Sequence, residues 1–588
     1  MPPLENEGKI ALSLEGVSKS FYPGGRLVQA LDKVSFRVHH GRVTGLVGPD
    51  GGGKTTLLRL AAGLLLPDSG NLEVLGINVI REPLLVQQSI GYMPQRFGLY
   101  EDLSVQENMD LYADLQGVPH GERPARYAEL TRMTGLSPFT QRLAGALSGG
   151  MKQKLGLACT LVRAPSLLLL DEPTVGVDPV SRRELWEIVY RLVEKERMTV
   201  LLSTAYLDEA ERCQEVILLH QGKLLGQGDP NALSEDMKGR TYQVRATGIN
   251  KRSLQERLAR ASAILDAIIH GEGVRVVTQK SEAPVRETLL PDLVDAKILP
   301  VNPRFEDHFI RVLKGEKSTF PSVMGKAEGN AQPSRTGDVI EVKDVKRRFG
   351  NFYAVKGISF TVRHGEVFGL LGANGAGKST TFRMLCGLLP ASEGTLTVAG
   401  NDLRRAAARA RGHIGYMAQR FSLYSNLSVT ENLRFFSSAY GLRGARQRTR
   451  IGWALEEFEM DSFSDAKSGD LPLGYKQRIA LAAALMHEPE ILFLDEPTSG
   501  VDPLARREFW HRINSLAEGG VTVLVTTHFM EEAEYCDRLV IMAEGEILAQ
   551  GTPEEMKRRF RSSSVPEPTM EDAFISLIEA HQAAEGAA

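Results

Sequence analysis

Glycine-rich loops that end in lysine occur twice in this chain, as GPDGGGKTT from Gly48 and as GANGAGKST from Gly372. Glycine lacks the Cβ that would block close approach, so backbone N–H groups and a helix N-terminus can surround phosphate oxygens. Lys54 and Lys378 are expected to reach the β- and γ-phosphates of a nucleotide. The expected nucleotide contacts in the two loops are Gly48, Asp50, Gly51, Gly53, Lys54, Thr55 and Thr56, and Gly372, Asn374, Gly375, Gly377, Lys378, Ser379 and Thr380.

An apolar run ending in Asp-Glu follows each loop, as LLLLDEP from Leu167 and ILFLDEP from Ile491. Asp171 and Asp495 would end buried strands and support Mg²⁺, with the hydroxyls of Thr55 and Ser379 as further ligands. The adjacent Glu172 and Glu496 are placed to orient an attacking water. The pattern therefore predicts two sites of phosphoryl transfer that depend on Mg²⁺.

These motifs belong to an internal duplication. Lys54 and Lys378 are separated by the same number of residues as Asp171 and Asp495, and a constant offset over such a length indicates repetition. In each copy a short strand runs into the loop and a helix, and polar helical stretches follow at about 104–146 and 428–470. This order predicts an α/β fold with a parallel-sheet core and an inserted helical lobe.

The sequence pattern divides the chain into four segments. The first P-loop domain is expected over 8–239, a small α+β appendage with a closing helix over 240–313, a linker rich in Gly, Ser, Pro and Lys over 314–337, and the second P-loop domain over 338–580. Within the appendage the pattern predicts a strand near 242, an amphipathic helix over about 252–269, the strand VRVVTQ and a second helix near 285–295.

Composition excludes several classes of protein. Lys plus Arg number 70 against 73 for Asp plus Glu, so no global positive field favours nucleic acid as a partner. The 4 cysteines include no Cys-x-x-Cys pair, which argues against structural zinc, and Cys213 and Cys536 are expected to be buried packing residues. Neither a signal peptide nor a membrane-spanning apolar run is evident. A membrane role would therefore need a separate subunit.

The segment LSGGMKQK from Leu147 resembles the signature of ABC-type ATPases, and LPLGYKQR from Leu471 is its altered counterpart. The resemblance covers nearly all of the chain and implies two nucleotide-binding domains packed head to tail. Ser148, Gly149 and Gly150 of one domain would then close over the nucleotide at the other's phosphate loop, offering N–H groups and a helix dipole. It also implies that Gln95 and Gln419 adjoin Mg²⁺ and that His528 is a switch histidine contacting the γ-phosphate.

Phe21 and Phe349, near the start of each copy, could stack on adenine. Core packing is the alternative for both aromatic residues, and Tyr22 is an alternative stacking residue in the first copy.

Three departures from the family pattern separate the two copies. Pro472 and Leu473 replace the Ser and first Gly of the signature, Ala205 aligns with His528, and Asp50 stands where the second loop has Asn374. Head-to-tail pairing would place all three departures at the Lys54 site. This predicts a consensus site at Lys378, with Glu496, His528 and the Ser148 signature, and a degenerate site at Lys54. Independent drift without functional meaning is the alternative.

Matching apolar segments follow both glutamines. The aromatic and aliphatic side chains there could line a groove for a cytoplasmic helix of a membrane subunit, although packing in the core of the lobe is nearly as plausible an interpretation. The residues are Phe97, Leu99, Tyr100, Phe421, Leu423 and Tyr424.

The resemblance implies an ATP- and Mg²⁺-dependent ATPase that energises export through separate integral membrane permeases, similar to ATP-binding subunits of bacterial drug and lipid-like efflux systems. Such a protein would be cytoplasmic and peripheral on the inner face of the cell membrane. Two alternatives stay open: a soluble tandem ABC protein acting on ribosomes, as translation factors do, and the tandem ATPase of a sugar importer. The ribosomal class generally joins its domains by a long charged helix, which the segment 314–337 does not resemble.

Overall fold

A computed structural model describes residues 9–22, 27–95, 98–315, 337–419, 423–561 and 566–586. The expected linker at 314–337 lies almost entirely outside the described residues, as do Phe97 and Phe421. Helices and strands recur in the same order in the two copies, so the duplication seen in the sequence is also a duplication of the fold.

The strands are numbered along the chain. In the first copy they are β1 Ile10–Phe21, β2 Val28–His39, β3 Val43–Val47, β4 Ser69–Val74, β5 Ile77–Asn78, β6 Ile90–Met93, β7 Leu167–Asp171, β8 Thr199–Thr204, β9 Glu215–His220 and β10 Lys223–Gly228. The appendage has β11 Thr241–Arg245, β12 Ile264–His270, β13 Gly273–Thr278 and β14 Lys297–Pro300. The second copy has β15 Asp338–Phe349, β16 Phe352–Arg363, β17 Val367–Gly372, β18 Glu393–Val398, β19 Asn401–Asp402, β20 Ile414–Met417, β21 Ile491–Asp495, β22 Thr522–Thr527, β23 Arg538–Ala543 and β24 Glu546–Gly551.

The helices are numbered in the same way. Those up to the closing helix are α1 Lys54–Ala61, α2 Pro83–Ser89, α3 Val105–Leu115, α4 Arg123–Met133, α5 Gly149–Thr160, α6 Pro179–Glu196, α7 Leu207–Ala210, α8 Pro230–Glu235, α9 Lys251–Ala259, α10 Arg286–Leu289 and α11 Phe305–Lys314. The second copy has α12 Lys378–Leu385, α13 Leu403–Arg411, α14 Val429–Ala439, α15 Gly444–Glu457, α16 Leu473–Ala484, α17 Pro503–Glu518, α18 Pro553–Arg559 and α19 Met570–Gly586.

Each copy is built on a six-stranded sheet that carries the site. In the first the order is β10-β9-β3-β8-β7-β6, and in the second the equivalent order is β20-β21-β22-β17-β23-β24. The neighbours β7, β8, β3 and β9 are parallel, and every residue of β3, β7 and β8 is buried, as expected for strands covered on both faces. A second, four-stranded antiparallel sheet, β2-β1-β4-β5 or β16-β15-β18-β19, completes each copy.

The helical lobe in each copy begins with a well-capped helix. Ser104 accepts a hydrogen bond from the Glu107 amide, and the Glu107 carboxylate accepts one from the Ser104 amide, which makes a capping box for α3. Ser428 and Glu431 do the same for α14. The lobe's signature helices, α5 and α16, pack their apolar faces into the large clusters of each copy.

The appendage has the element order β11-α9-β12-β13-α10-β14 and the sheet order β12-β13-β11-β14, with all neighbours antiparallel. This is the ferredoxin-like arrangement. The predicted helix over 252–269 is wrong in its second part, because α9 ends at Ala259 and Ile264–His270 forms β12. The run ILDAIIH is rich in isoleucine, and pairing with β13 outweighs its helical periodicity.

Two compact units emerge from the packing of the chain. Of the described residues, one unit contains those within 9–238, 302–315 and 502–504, and the other contains those within 239–301, 337–501 and 505–586. The closing helix α11 belongs to the first unit, where Phe305, Phe309 and Ile310 join its core. The appendage, which precedes α11 in the chain, belongs instead to the unit of the second copy.

Candidate nucleotide-binding sites

The two phosphate loops have the same internal geometry. Each connects a buried strand to a helix whose N-cap is a glycine in the left-handed region, Gly53 at φ 104° and Gly377 at φ 98°. A Cβ on Gly53 would lie 2.5 Å from the Ala30 carbonyl oxygen, and one on Gly377 would lie 2.6 Å from that of Ala354. Only glycine fits these positions, so backbone N–H groups can face the space above the loop.

The lysines of both loops are buried and fold over their own loop. Lys54 Nζ donates to the Gly48 and Pro49 carbonyls at 2.8 and 3.2 Å, and Lys378 Nζ donates to those of Gly372 and Ala373 at 2.7 and 3.0 Å. Both ammonium groups are therefore held beside the expected phosphate position. The expected phosphate-loop residues lie together at the carboxyl end of β3 or β17 and the start of α1 or α12.

A polar cluster beneath each loop suits Mg²⁺. In the first copy the Thr55 hydroxyl donates to Asp171 Oδ1 at 3.1 Å, and Ser203 donates to the same oxygen at 2.8 Å. The other oxygen, Oδ2 of Asp171, is buried and has no hydrogen-bond partner among the described residues. In the second copy Thr526 donates to Asp495 Oδ1 at 2.6 Å, and burial raises the pKa of the Asp495 carboxyl.

These donors fit a hard divalent cation, which prefers carboxylate, hydroxyl and amide oxygens. The Mg²⁺ ligands expected from the sequence are Thr55, Gln95 and Asp171 in the first copy and Ser379, Gln419 and Asp495 in the second. When bound, the ion would neutralise phosphate charge. The described residues contain no cluster of three or more His, Cys, Asp or Glu that could hold a metal by themselves.

Glu172 and Glu496 sit directly after their strands with a backbone that non-glycine residues seldom adopt, at φ 48° and φ 47°. Such strain persists at sites where the surrounding structure fixes it. Here a hydroxyl on the neighbouring strand does so, because the Glu172 amide donates to Ser203 Oγ and the Glu496 amide to Thr526 Oγ1, both at 2.9 Å. Gln95 and Gln419 each donate to the carboxylate of their own copy, Glu172 or Glu496, at 2.6 Å.

The second copy adds a histidine to this carboxylate. His528 Nδ1 lies 3.2 Å from Glu496 Oε2, and the two residues are 3% and 5% exposed. Burial by itself would raise the pKa of the Glu496 carboxyl, but the hydrogen bond and charge of His528 lower it below the usual value for glutamate. Nε2 of His528 is buried as well, and it has no hydrogen-bond partner among the described residues. It could donate a hydrogen bond to a phosphate oxygen.

The first copy lacks this pair. Ala205, 1% exposed, takes the position of His528, and Glu172 lies nearer to its lysine, with Lys54 Nζ 3.3 Å from Glu172 Oε1. The corresponding distance between Lys378 Nζ and Glu496 Oε1 is 4.0 Å. The carboxylate of the first copy is thus paired with the phosphate-binding lysine, whereas that of the second is paired with a histidine.

The signature helices differ at their N-termini. Ser148 caps α5, its Oγ accepting from the Met151 amide at 3.3 Å, and Gly150 lies so close to Ser181 that a Cβ would meet its Oγ at 2.5 Å. Pro472 occupies the N-cap of α16 without a side-chain cap, and Leu473 is the first helical residue. The helix survives the substitution, as proline tolerates the start of a helix, but the serine hydroxyl and the bare glycine are gone.

Comparison with known proteins agrees with this geometry. The ABC transporter family model matches residues 31–175 and 355–499. The probable multidrug ABC transporter ATP-binding protein YbhF of Escherichia coli K12 is 51% identical over 96% of this chain and 97% of its own length. The chain belongs to the ABC transporter family of ATP-binding proteins. It is a tandem ABC ATPase, and its nucleotide is ATP.

Two shorter members of the family are also similar. The Nod factor export ATP-binding protein I of Burkholderia orbicola AU 1054 is 44% identical over 36% of this chain and 71% of its own length. The linearmycin resistance ATP-binding protein LnrL of Bacillus subtilis 168 is 39% identical over 41% of this chain and 78% of its own length. In this ABC ATPase, none of the described helices is long and apolar enough to cross a bilayer.

The aromatic residues proposed to stack on adenine lie at strand ends of the ABC domains. Phe21 ends β1 and is 37% exposed, while Phe349 ends β15 and is 48% exposed, with the Arg347 guanidinium 4.6 Å above its ring. Tyr22 is 71% exposed. None of the three rings is in the core, so all remain accessible to a base, and adenine stacking stays a prediction.

The segments after Gln95 and Gln419 divide between core and surface. Leu423 is 7% exposed and packs in the lobe core, and Leu99 packs partly against the core of the first copy, which supports the packing interpretation for these two. Tyr100 and Tyr424 are 59% and 51% exposed. Tyr424 also stacks edge-on with the exposed Phe435, their ring centroids 4.7 Å apart. The tyrosines are thus the surface members of the predicted groove.

Two kinds of supporting residue are not apparent from the sequence. The buried Asn108 side chain accepts from the Tyr100 amide and donates to three carbonyls, and Asn432 does the same for Tyr424. The second kind is a buried glutamate after β8 or β22. Its only signal is the repeated Glu-Ala in LDEA and MEEA, which aligns the two copies without indicating a role for the glutamate.

That glutamate joins two loops of the site. Glu532, 1% exposed, accepts from Thr527 Oγ1 at 2.7 Å and also from the Thr498 hydroxyl. Glu209 makes the same contacts with Thr204 at 2.7 Å and Thr174 at 3.0 Å, and burial raises its pKa. We call each glutamate with its two threonines a clamp. The clamp joins the threonine directly before Ala205 or His528 to the loop that contains Glu172 or Glu496.

Proposed function

We propose that this ABC ATPase energises the export of drug-like substrates through separate membrane permease subunits, and that it hydrolyses ATP mainly at the Lys378 site. Support for export comes from YbhF, whose name specifies a probable multidrug transporter and which matches almost the whole chain. Of the two shorter relatives, one is named for export of a Nod factor and the other for resistance to linearmycin.

One observation carries the assignment of hydrolysis to the second copy: the pair of His528 and Glu496. An attacking water needs an ionised carboxylate near it, and His528 lowers the Glu496 pKa while leaving Nε2 available for phosphate. At the other site Ala205 contributes no such group. If the domains pair head to tail, the altered signature at Pro472 would serve that same Lys54 site and remove a hydroxyl and an N–H donor from it.

The exposed Tyr100 and Tyr424 support binding of this protein to permease subunits. Each stands on a loop fixed by a buried asparagine, so it can present an aromatic ring to a partner at little further entropic cost. Aromatic side chains of this kind are frequent anchors in helix-in-groove recognition. The inferred partners are integral membrane subunits with a cytoplasmic helix.

Purification of the native complex tests this function. We expect the tagged chain, extracted from membranes in mild detergent, to bring down integral membrane proteins in fixed proportion to itself. Recovery with ribosomal subunits and without membrane subunits would contradict the proposal and favour the translation-factor class. Recovery with a sugar-binding protein and its permease would favour import.

A further inference from the structure

The ferredoxin-like appendage packs against the second ABC domain, although it follows the first in sequence. Helices α9 and α10 cover one face of its sheet, where Tyr242, Val244, Val274 and Val276 form a small core. The opposite face carries Gln243, Asp266 and Arg275, which are 6%, 4% and 5% exposed. Charged residues on the uncovered face of an antiparallel sheet are normally solvated. Their burial means that another element covers this face.

At Asp266 this covering element is helix α17 of the second domain. Asp266 pairs with Arg507 through Oδ2 and Nη1, and the two side chains are only 2% and 5% exposed. Burial lowers the pKa of Arg507 to about 10, so the guanidinium stays charged at neutral pH. Further along α17, Asn514 Nδ2 donates to Gln255 Oε1 at 2.9 Å within the same buried interface.

Further contacts reach the segments that flank the active site. The Gly271 amide donates to Glu534 Oε2 at 3.2 Å, in the 3₁₀ helix Met530–Tyr535 that begins two residues after His528. Arg252 pairs with Asp537, whose Oδ2 also accepts from the Val367 amide at 2.8 Å. Val367 is the first residue of β17, the strand that leads into the phosphate loop. The appendage therefore contacts the segment that follows His528 and, through Asp537, the start of the strand that leads into the phosphate loop.

A short path connects Arg507 to His528. Its neighbour on α17, Arg506, lies 4.7 Å over the Phe529 ring and 3.7 Å from Glu532 Oε1. Glu532 in turn binds the Thr527 hydroxyl, directly before His528. Holding α17 by Arg507 therefore also holds Arg506, which packs on the segment from Thr527 to Tyr535. We call this the switch segment.

The first ABC domain provides a natural comparison. Arg183 is the equivalent of Arg507, but its side chain is 48% exposed and its Nε lies 3.4 Å from Glu187 on the next turn of α6. The equivalent of Glu534 is Glu211, which accepts from the Phe305 amide at 2.9 Å, at the start of α11. The appendage thus packs on the domain that carries His528. Arg183, at the position equivalent to Arg507, lies on the surface of the first domain.

We propose that residues 239–301 brace the switch segment of the second ABC domain, and that Asp266 is a positioning residue for ATP hydrolysis at Lys378. This proposal rests on the proposed function, because it takes the Lys378 site as the hydrolytic one. Asp266 acts through Arg507 and α17 on the segment from Thr527 to Tyr535. It touches neither nucleotide nor metal.

The test uses the full chain with Asp266→Asn and Arg507→Met, singly and together. Asparagine keeps the shape of aspartate and removes its charge. The controls are Arg183→Met, the same substitution at the equivalent position of the first domain, and Glu256→Gln, which removes an exposed charge from α9. Four quantities are measured: kcat, the KM for ATP, the melting temperature, and hydrogen exchange of the peptide spanning Met530–Tyr535 without nucleotide.

We expect the single variants to lower kcat by about 10-fold or more with little change in KM, since displacement of a catalytic group by about 1 Å can reduce rate by about 100-fold. The double variant should be no slower than the slower single variant, because both remove one interaction. Exchange at Met530–Tyr535 should increase in these variants and not in the controls. Unchanged kcat, or equal losses in the Arg183→Met chain, would overturn the proposal.

Two outcomes separate this proposal from the assignment of hydrolysis. Exchange at Met530–Tyr535 is measured without turnover, so it reports the brace whichever site hydrolyses ATP. If exchange rises in the Asp266→Asn chain while kcat is unchanged, the brace does not serve hydrolysis and the positioning role is refuted. If melting falls and exchange rises throughout the chain, Asp266 is a general stability residue and the proposal is also refuted.

Discussion

Replacing His528 by alanine should abolish most turnover while leaving ATP bound. The structure places His528 Nδ1 3.2 Å from Glu496 Oε2 in a buried environment. A hydrogen bond to a charged group is worth about 1.5–3 kcal/mol, which corresponds to about a 10- to 150-fold loss of rate if the interaction is made in the transition state. Loss of the expected Nε2 contact to phosphate would add to this, so the upper end of the range is the expectation.

The same substitution should change the pH dependence. His528 lowers the pKa of Glu496, against burial, which raises it. Without His528 the pKa of Glu496 rises. Because only the ionised carboxylate orients water, the acid limb of the pH profile, where activity is lost on acidification, should move to higher pH. The assay is kcat across the neutral and acid range, with a fluorescent nucleotide to measure ATP affinity separately.

His413→Ala is the matched control. His413 Nδ1 lies 3.6 Å from Glu490 Oε1, but this pair is on the surface of the same domain, with the side chains 42% and 36% exposed. A surface pair contributes about 0–1 kcal/mol, so turnover should not change. Full turnover by the His528→Ala chain, or an acid limb that does not move, would refute the role assigned to this histidine.

Three further predictions concern other parts of the chain. Ser148→Arg should reduce turnover as severely as Glu496→Gln if the signature closes over the Lys378 site from the other domain, and a mild effect measured in the same ATPase assay would contradict that pairing. Tyr100→Ala with Tyr424→Ala should lose permease in a pull-down at unchanged melting temperature, since removal of a buried interface anchor typically costs about 2 kcal/mol or more; retained permease would reject the docking role. All 4 cysteines are buried and burial raises their thiol pKa values, so a thiol reagent should label them only after denaturation, and fast labelling of the native chain would show that their burial is wrong.

The phosphate loops could be predicted from sequence because the motif itself dictates the local backbone. Gly53 and Gly377 need a left-handed φ and have no room for a Cβ, so the pattern of glycines determines the loop. The buried strands before Asp171 and Asp495 were equally readable as uninterrupted apolar runs. The clamps of Glu209 and Glu532 could not be predicted, since the sequence around a single acidic residue does not indicate that it is buried.

The appendage marks the limit of sequence reasoning. The helix predicted there runs on through Ile264–His270 because isoleucines spaced for a helix face also suit a strand, and only pairing with β13 decides between them. Which ABC domain the appendage packs against could not be predicted from the sequence at all. Asp266 and Arg507 are far apart in sequence, each is an ordinary surface residue type, and nothing in their local patterns signals that they are buried together.

Comparison of Glu496→Gln with Glu172→Gln tests most directly whether the two sites are unequal. The substitutions are identical, and each carboxylate accepts a 2.6 Å hydrogen bond from its glutamine. The two surroundings differ in His528, which lies beside Glu496 only, and in the lysine, which lies nearer to Glu172 than to Glu496. Steady-state ATP turnover is measured for each full chain, with two bound nucleotides confirmed in both. Near-complete loss in the Glu496→Gln chain with most turnover retained in the Glu172→Gln chain is the predicted result; equal losses in the two chains would contradict the assignment of hydrolysis to the Lys378 site.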